Sequence, residues 1–199
     1  MEEGYRVTHL LHFADTKKRG SHALNPGVIA AQAASAGIPL IRRDFISYEQ
    51  EFKNVILALR RMGARVDGAV FGHIQTHGGL VERICNDLSI EAVMPLWKRD
   101  PESLLREMMD AGLEMVIVSA RGDVMGKEWL GRTIDGGFPE AIRRLPVHVD
   151  PCGENGEFHT LVTDCPFFGR KIRITDYDHV FDEGYWFLDI REFSVQEKK

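Results

Sequence analysis

This 199-residue chain has few cysteines, no long apolar run and no excess of basic residues. Its three cysteines, Cys85, Cys152 and Cys165, are far apart and form no Cys-x-x-Cys pair, which argues against a zinc finger. An odd number of cysteines fits a reducing compartment. No apolar run approaches the ~20 residues of a membrane span, and no signal-peptide pattern is present. We therefore expect a cytoplasmic protein.

The net charge also argues against nucleic acid as a partner. The formal net charge is −5, so the chain carries no electrostatic footprint for nucleic acid. Hydrophobic residues make up 44% and charged residues 28%, which is ordinary for a globular protein able to bury a core. The length favours one domain, or one domain with a small appendage. We expect neither nucleic acid nor a membrane as a partner.

Short apolar runs alternate with helical patterns over the first 120 residues. Asn25 and Pro26 suit the start of a helix, and Gly37 suits its end. The predicted strands are 6–13, 39–45, 68–74, 91–97 and 114–120, and the predicted helices are 25–36, 48–62, 79–88 and 101–111. This alternation predicts a parallel α/β sheet, whose ligands bind at the carboxyl ends of the strands.

The pattern changes after about residue 145. Three strands are predicted without helices between them, at 158–164, 171–177 and 185–193. Strands in such a series pair antiparallel. The sequence therefore predicts an α/β domain over 1–145 and a small β-rich subregion over 146–199, on the substrate side.

Reactive side chains are densest in residues 152–160, Cys-Gly-Glu-Asn-Gly-Glu-Phe-His-Thr. Glu154 and Glu157 could orient an amine, bind Mg²⁺ or act as a base, and His159 could move a proton near neutral pH. Gly153 and Gly156 allow a positive φ or a close approach of the backbone to a ligand. The alternative is an ordinary polar turn before a strand, with solvated carboxylates and a hydrogen-bonded structural histidine.

This string resembles the signature of the diphthine–ammonia ligase family, within the PP-loop (N-type) ATP pyrophosphatases. Similar strings occur in the family's order at 37–40, 67–72, 81–85, 95–97, 99–101 and 129–135. The resemblance covers most of residues 1–170. It implies a Rossmann-like sheet of the adenine nucleotide alpha hydrolase type.

The resemblance also implies chemistry and a set of site residues. In the family, a carboxylate is adenylated by ATP with Mg²⁺, and ammonia then displaces AMP to form an amide. The partners are ammonia and a small-molecule or protein-bound carboxylate. The implied residues are catalytic Glu154, Glu157 and His159, substrate-binding Gly153, Gly156, Thr160, Trp97, Gly131 and Arg132, and cofactor-binding His22 and Gly72. His73 and His77 lack a third ligand at suitable spacing, so no metal site is expected.

The chain departs from the family pattern in two ways. It has no Ser-Gly-Gly-x-Asp-Ser phosphate loop, so we expect a sheet without its first, central strand and no activity toward ATP. Strands 6–13 and 68–74 should flank that gap, and they should either pair directly or stay open and recruit another chain, including a homo-oligomer. Asn155 and His159 stand where many relatives have glycine and glutamate, which is typical of a bacterial branch. The alternative functions are a non-catalytic small-molecule binding module and an ATP-independent hydrolase that uses the Glu/His cluster.

Overall fold

The computed structural model describes residues 4–15 and 25–198, which form a mixed α/β fold. The helices are α1 (Pro26–Ala36), α2 (Tyr48–Arg61), α3 (Gly78–Leu88), α4 (Pro101–Asp110) and α5 (Phe138–Arg143). The strands are β1 (Leu10–Asp15), β2 (Leu40–Phe45), β3 (Gly68–Val70), β4 (Glu91–Val93), β5 (Glu114–Arg121), β6 (Phe158–Asp164), β7 (Arg170–Asp182) and β8 (Tyr185–Glu197). A 3₁₀ turn lies at Lys127–Trp129.

Local sequence explains where the helices begin and end. Asn25 caps α1, because its side-chain oxygen accepts a hydrogen bond from the Gly27 N–H at 2.9 Å. Gly37 ends the same helix with a φ of +66°. Asp100 caps α4 by accepting from the Ser103 N–H at 2.9 Å. The predicted start and end of α1 are thus confirmed.

The strands form three separate sheets. β1 pairs in parallel with β2, β3 pairs in parallel with β4, and the remaining strands form an antiparallel sheet in the order β6-β5-β8-β7. The prediction that β5 belongs to a parallel sheet is wrong. Both edges of β5 are taken by antiparallel neighbours, β6 and β8, and its buried residues suit an inner strand of either kind of sheet.

Two predicted strands are shorter than expected. β3 ends at Val70 rather than residue 74, and β4 ends at Val93 rather than residue 97. Gly72 follows β3, and Pro95, which has no N–H to donate, follows β4. Among the described residues β1 and β3 do not pair, so each has one open edge. The sequence predicted that these two strands either pair directly or keep open edges, and the structure has the open edges.

The two small sheets share one hydrophobic core. One face of α2 is buried in it, formed by Phe52, Val55, Ile56 and Leu59. β1 and the residues after β3 pack on the same cluster through Leu11, Phe13 and Phe71. α3 contributes Val81, Ile84, Cys85 and Leu88. The open edges of β1 and β3 therefore belong to sheets that α2 and α3 hold on a common core.

The antiparallel sheet has its own core and a long hairpin. β7 and β8 extend several residues beyond the predicted 171–177 and 185–193, and they turn at Glu183 and Gly184, whose φ angles are +45° and +85°. Positive φ at both turn residues matches the twist of a tight hairpin. β5 lies before residue 145 but pairs with strands that follow it, so hydrogen bonds join the two parts. The predicted division into two domains at residue 145 stays a prediction. No helix within the described residues is long and apolar enough to span a membrane.

Candidate functional site

Residues 150–157, which connect α5 to β6, form a compact double turn that we call the glycine turn. The Asp150 carboxylate accepts from the N–H groups of Cys152 at 2.8 Å and Glu154 at 3.3 Å. Gly153 and Gly156 have φ angles of +72° and +75°, one of the two possibilities expected for these glycines. The Gly153 N–H donates to the Asp150 carbonyl, and the Gly156 N–H donates to the Gly153 carbonyl. The backbone of the turn is therefore held by its own residues.

The Glu157 side chain lies inside the glycine turn and stabilises it through hydrogen bonds. Its side chain is buried, and Oε1 accepts from the Asp150 N–H at 3.0 Å and from Asn155 Nδ2 at 3.2 Å. Oε2 accepts from the Asn155 N–H at 3.0 Å. Burial alone would raise the pKa of this carboxyl, but the hydrogen bonds from Asp150 and Asn155 outweigh it and hold the pKa below its ordinary value. Glu157 is therefore an anion that fixes the turn.

Replacing Glu157 with glutamine should destabilise the fold. The new NH₂ group would face N–H donors, and at least one buried donor would lose its acceptor, which costs ~1–3 kcal/mol. The measurement is urea unfolding of the wild type and of Glu157→Gln. Glu154→Gln is the matched control, because Glu154 is half exposed and should change stability by less than ~0.5 kcal/mol. Equal effects of the two substitutions would contradict the bracing role.

The same carboxylate predicts a pH dependence. Because the folded pKa of Glu157 is lowered, its contribution to stability is complete above the unfolded value of ~4.3. That contribution is lost as the pH falls through the folded pKa. The stability difference between wild type and Glu157→Gln should thus shrink only at acidic pH, below ~4.3.

Two residues that the sequence analysis did not single out hold the turn from outside. Arg121, at the end of β5, donates from Nη1 to the Asn155 carbonyl at 3.1 Å. Tyr185, at the start of β8, donates its hydroxyl to the Gly156 carbonyl at 3.2 Å. Both hydrogen bonds join residues that are far apart in the sequence, so no local sequence pattern indicates them. Asp150 was also missed, although an Asp at the start of a Pro- and Gly-containing segment is a common turn signal.

The loop between β3 and α3, residues 71–77, carries two neighbouring imidazoles, and we call it the histidine loop. The rings of His73 and His77 are 5.3 Å apart, and Phe71 stacks on His73 at 6.2 Å. Burial lowers the pKa of His73, and the neighbouring His77 lowers it further, whereas the charge of Glu154 raises it. The histidine loop thus places two imidazole rings side by side.

Trp97 and Gly72 also lie at the histidine loop. Gly72 immediately precedes His73 and is exposed. Trp97 covers the start of α3, where a Cβ on Gly78 would lie 2.6 Å from the indole ring. The Lys98 N–H donates to the Ile74 carbonyl at 2.7 Å and ties the loop to the segment after β4. Trp97, predicted to bind substrate, and Gly72, predicted to bind the cofactor, thus lie at the same loop.

Cys152 is part of the glycine turn but is not a reactive thiol. Its Sγ donates to the Pro101 carbonyl at 3.3 Å. Burial raises the pKa of Cys152 to about 12, with further contributions from the nearby carboxylates of Asp150, Glu154 and Asp100. Since the thiolate is the nucleophilic form, this cysteine does not serve as a nucleophile at neutral pH.

The other predicted residues lie away from the turn. Thr160, on β6, lines a cleft of about 550 Å³ together with Leu11 to Phe13 of β1 and residues of α1. His159 lies opposite Ser119 in the ladder between β5 and β6. His22 lies outside the described residues. Among those described, no group of three or more His, Cys, Asp or Glu side chains is placed to hold a metal ion.

Gly131 and Arg132 form a separate feature beside the aromatic core. Gly131 has a φ of +77°. The Arg132 guanidinium lies 4.9 Å from the Trp129 ring and 6.0 Å from the Phe138 ring, in cation–π geometry. Phe138 in turn contacts Phe158 at 5.4 Å, at the start of β6. Arg132 is therefore linked to the glycine turn through packed rings and not by direct contact.

The part of the chain that contains the glycine turn is similar to a known protein domain. Residues 100–195, from the cap of α4 into the last part of β8, match the family described as the diphthamide synthase C-terminal domain. Residues 100–195 of the chain therefore carry the C-terminal domain of the diphthamide synthase family. The resemblance of the string 152–160 is thus confirmed.

Several curated members of the diphthine–ammonia ligase family are similar to this chain. Proteins named diphthine–ammonia ligase are 38% identical over 114 residues in Homo sapiens, 34% over 142 residues in Mus musculus and 32% over 103 residues in Schizosaccharomyces pombe. These matches cover 55%, 68% and 50% of this chain. They span 42%, 52% and 17% of the relatives, so the chain corresponds to about half of their length or less.

Proposed function

We propose that this chain supplies the acceptor side of an ATP-dependent ligase that joins ammonia to a carboxylate. The observation that carries the proposal is the glycine turn, which is held by the buried Glu157 and leaves Glu154 half exposed. The turn lies within the residues that match the diphthamide synthase C-terminal domain. Relatives with this region are named for the amidation of diphthine, and a carboxylate of that class is the substrate we propose.

The proposed roles follow from where the side chains lie. Glu157 is buried and positions the turn, whereas the half-exposed Glu154 is the carboxylate that can meet a small substrate. Arg132 makes no ion pair with any described residue, so its planar fork is available to a substrate carboxylate. Thr160 would contact substrate in the cleft beside β1, and His159 would move a proton.

ATP is the cofactor that the family implies, and it would activate the carboxylate. The described residues do not fit a phosphate cradle. Asn25 and Asp100 each accept one N–H at the starts of α1 and α4. The first turn of α2 carries two carboxylates, and Gly78 at the start of α3 is covered by Trp97. We therefore derive no step through ATP from these residues. The same observation favours, as the alternative, a non-catalytic module that binds the carboxylate.

A hybrid enzyme tests the proposal. Residues 100–195 of this chain would replace the matching region of the Homo sapiens relative, and amide formation on a diphthine-containing protein would be measured with ATP and ammonium. We expect the hybrid to form the amide. Arg132→Lys, which loses the planar fork, should raise the KM for the carboxylate about tenfold, whereas Arg106→Lys on α4 should not.

The chain on its own supplies the second half of this test. We expect it to release no pyrophosphate from Mg-ATP, because the described residues offer no phosphate cradle. Micromolar binding of Mg-ATP by calorimetry would contradict that expectation. A hybrid that melts cooperatively and binds ATP but forms no amide would overturn the ligase proposal in favour of the binding module.

A further inference from the structure

β7 is a long strand at the edge of the antiparallel sheet. It spans 13 residues, about twice the usual strand length of ~5–6 residues, and in the described part of the chain its one partner strand is β8. Two of its aromatic side chains are exposed to solvent, Phe181 by 55% and Tyr177 by 43%. A long edge strand with exposed apolar side chains is a template for pairing with a strand of another chain.

The charged side chains of β7 are segregated by sign. Its first half carries the basic residues Arg170, Lys171 and Arg173. Its second half carries the acidic residues Asp176, Asp178 and Asp182. A β-bulge within residues 174–177 separates the two halves. The edge of the sheet is therefore positive along one half of the strand and negative along the other.

Some of these charges are already paired within the molecule. The ion pairs join Arg170 to Glu197, Lys171 to Glu114 and Asp178 to Arg191. The remaining charges form no ion pair with a described residue, and they belong to Arg173, Asp176 and Asp182. Arg173 and Asp176 are also exposed. Each half of β7 therefore keeps a charge that a second chain can pair with.

We propose that β7 is a dimer interface at which two copies of this chain pair their β7 strands antiparallel across a two-fold axis. Such an axis brings the same surface of both copies together, so that surface must be complementary to itself. In the antiparallel arrangement, the basic half of each strand lies against the acidic half of the other. Opposite charges on facing strands stabilise the pair, whereas like charges destabilise it. A parallel pair would place like charges together.

The order of the charges also selects the partner. Charged residues on an edge strand normally oppose pairing with other chains. β7 opposes a strand that carries one sign of charge throughout, but it is complementary to its own copy in the reverse direction. The dimer would join the two four-stranded sheets into one. The exposed Tyr177 and Phe181 of each second half would then lie against the first half of the other copy.

Charge reversal tests this interface without requiring its exact register. Arg173→Glu places an acidic residue against the acidic half, and the double variant Asp176→Lys with Asp182→Lys places basic residues against the basic half. Each variant alone should dimerise about tenfold more weakly than the wild type, because the two-fold axis repeats every repulsive contact. An equimolar mixture should restore dimers, since the reversed charges then face each other. Native mass spectrometry of isotope-labelled chains measures the ratio of mixed to like dimers.

Arg61→Glu is the matched control for Arg173→Glu. It makes the same change of charge at an exposed residue of α2, away from β7. This variant should dimerise like the wild type and show no preference for the double variant. Random mixing of Arg173→Glu with the double variant would overturn the proposal, because association through any other surface does not distinguish mixed from like dimers.

Hydrogen exchange of the wild type needs no variant. The N–H groups of β7 should exchange more slowly as the protein concentration rises, because those on the open edge become hydrogen-bonded in the dimer. Arg173→Glu at the same concentration should lack this protection. If the wild type associates while exchange in β7 stays unchanged, the proposal is overturned, and this edge is left for a strand of a different protein.

Discussion

A Gly153→Ala substitution is expected to destabilise the protein by about 2–5 kcal/mol. The φ of Gly153 is +72°, a conformation that costs an L-residue ~1–2 kcal/mol. A Cβ at this position would also lie 2.6 Å from the Phe158 carbonyl oxygen, which is backbone and cannot move without shifting the start of β6. Overpacking of this kind adds ~1–3 kcal/mol. Urea unfolding measures the sum.

Gly156 provides the matched control for Gly153. Its φ is +75°, nearly the same, but a Cβ there would lie 3.3 Å from the Tyr185 hydroxyl, the end of a side chain that can move. Gly156→Ala should therefore cost only the ~1–2 kcal/mol of the backbone conformation. If the two alanine variants lose the same stability, the close approach of Gly153 to Phe158 does not explain why glycine is present.

Within the glycine turn, the sequence predicted the backbone but not the side chains. Positive φ at Gly153 and Gly156 followed from residue type alone. The burial of Glu157 could not be predicted, because it depends on the turn folding over its own carboxylate and on Arg121 and Tyr185 arriving from two other strands. A carboxylate in a glycine-rich segment gives the same sequence pattern whether its side chain is exposed to solvent or buried inside the turn.

The sheet shows a similar limit. The alternation of strands and helices predicted a parallel sheet, and four strands do pair in parallel. β5 is apolar enough to be an inner strand of either sheet, and its periodicity does not say which neighbours it takes. Long-range pairing with β6 and β8 decided its place. Likewise, His73 and His77 were visible in the sequence, but the close approach of their rings depends on how the histidine loop folds.

The open edges of β1 and β3 should make the protein associate with itself. Among the described residues neither strand has a neighbouring strand on its second edge, and Val70 of β3 is 56% exposed. An apolar strand of about six residues buried between such edges would contribute on the order of 10 kcal/mol, comparable with the ~5–15 kcal/mol net stability of a whole domain. Sedimentation velocity over a range of concentrations should show a mass that rises with concentration, and melting should begin at modest temperature.

Val70→Lys tests whether the edge causes this association. A lysine on an edge strand opposes pairing with another chain, so this variant should sediment as a smaller species with its own fold intact. Ile46→Lys is the matched control, because Ile46 is 78% exposed but lies in the turn after β2, away from either edge. If Ile46→Lys disperses the protein equally well, general surface hydrophobicity is the cause. A wild type that is a monodisperse monomer and melts cooperatively above ~65 °C, the upper range of ordinary domains, would show that the open edges cost the fold little.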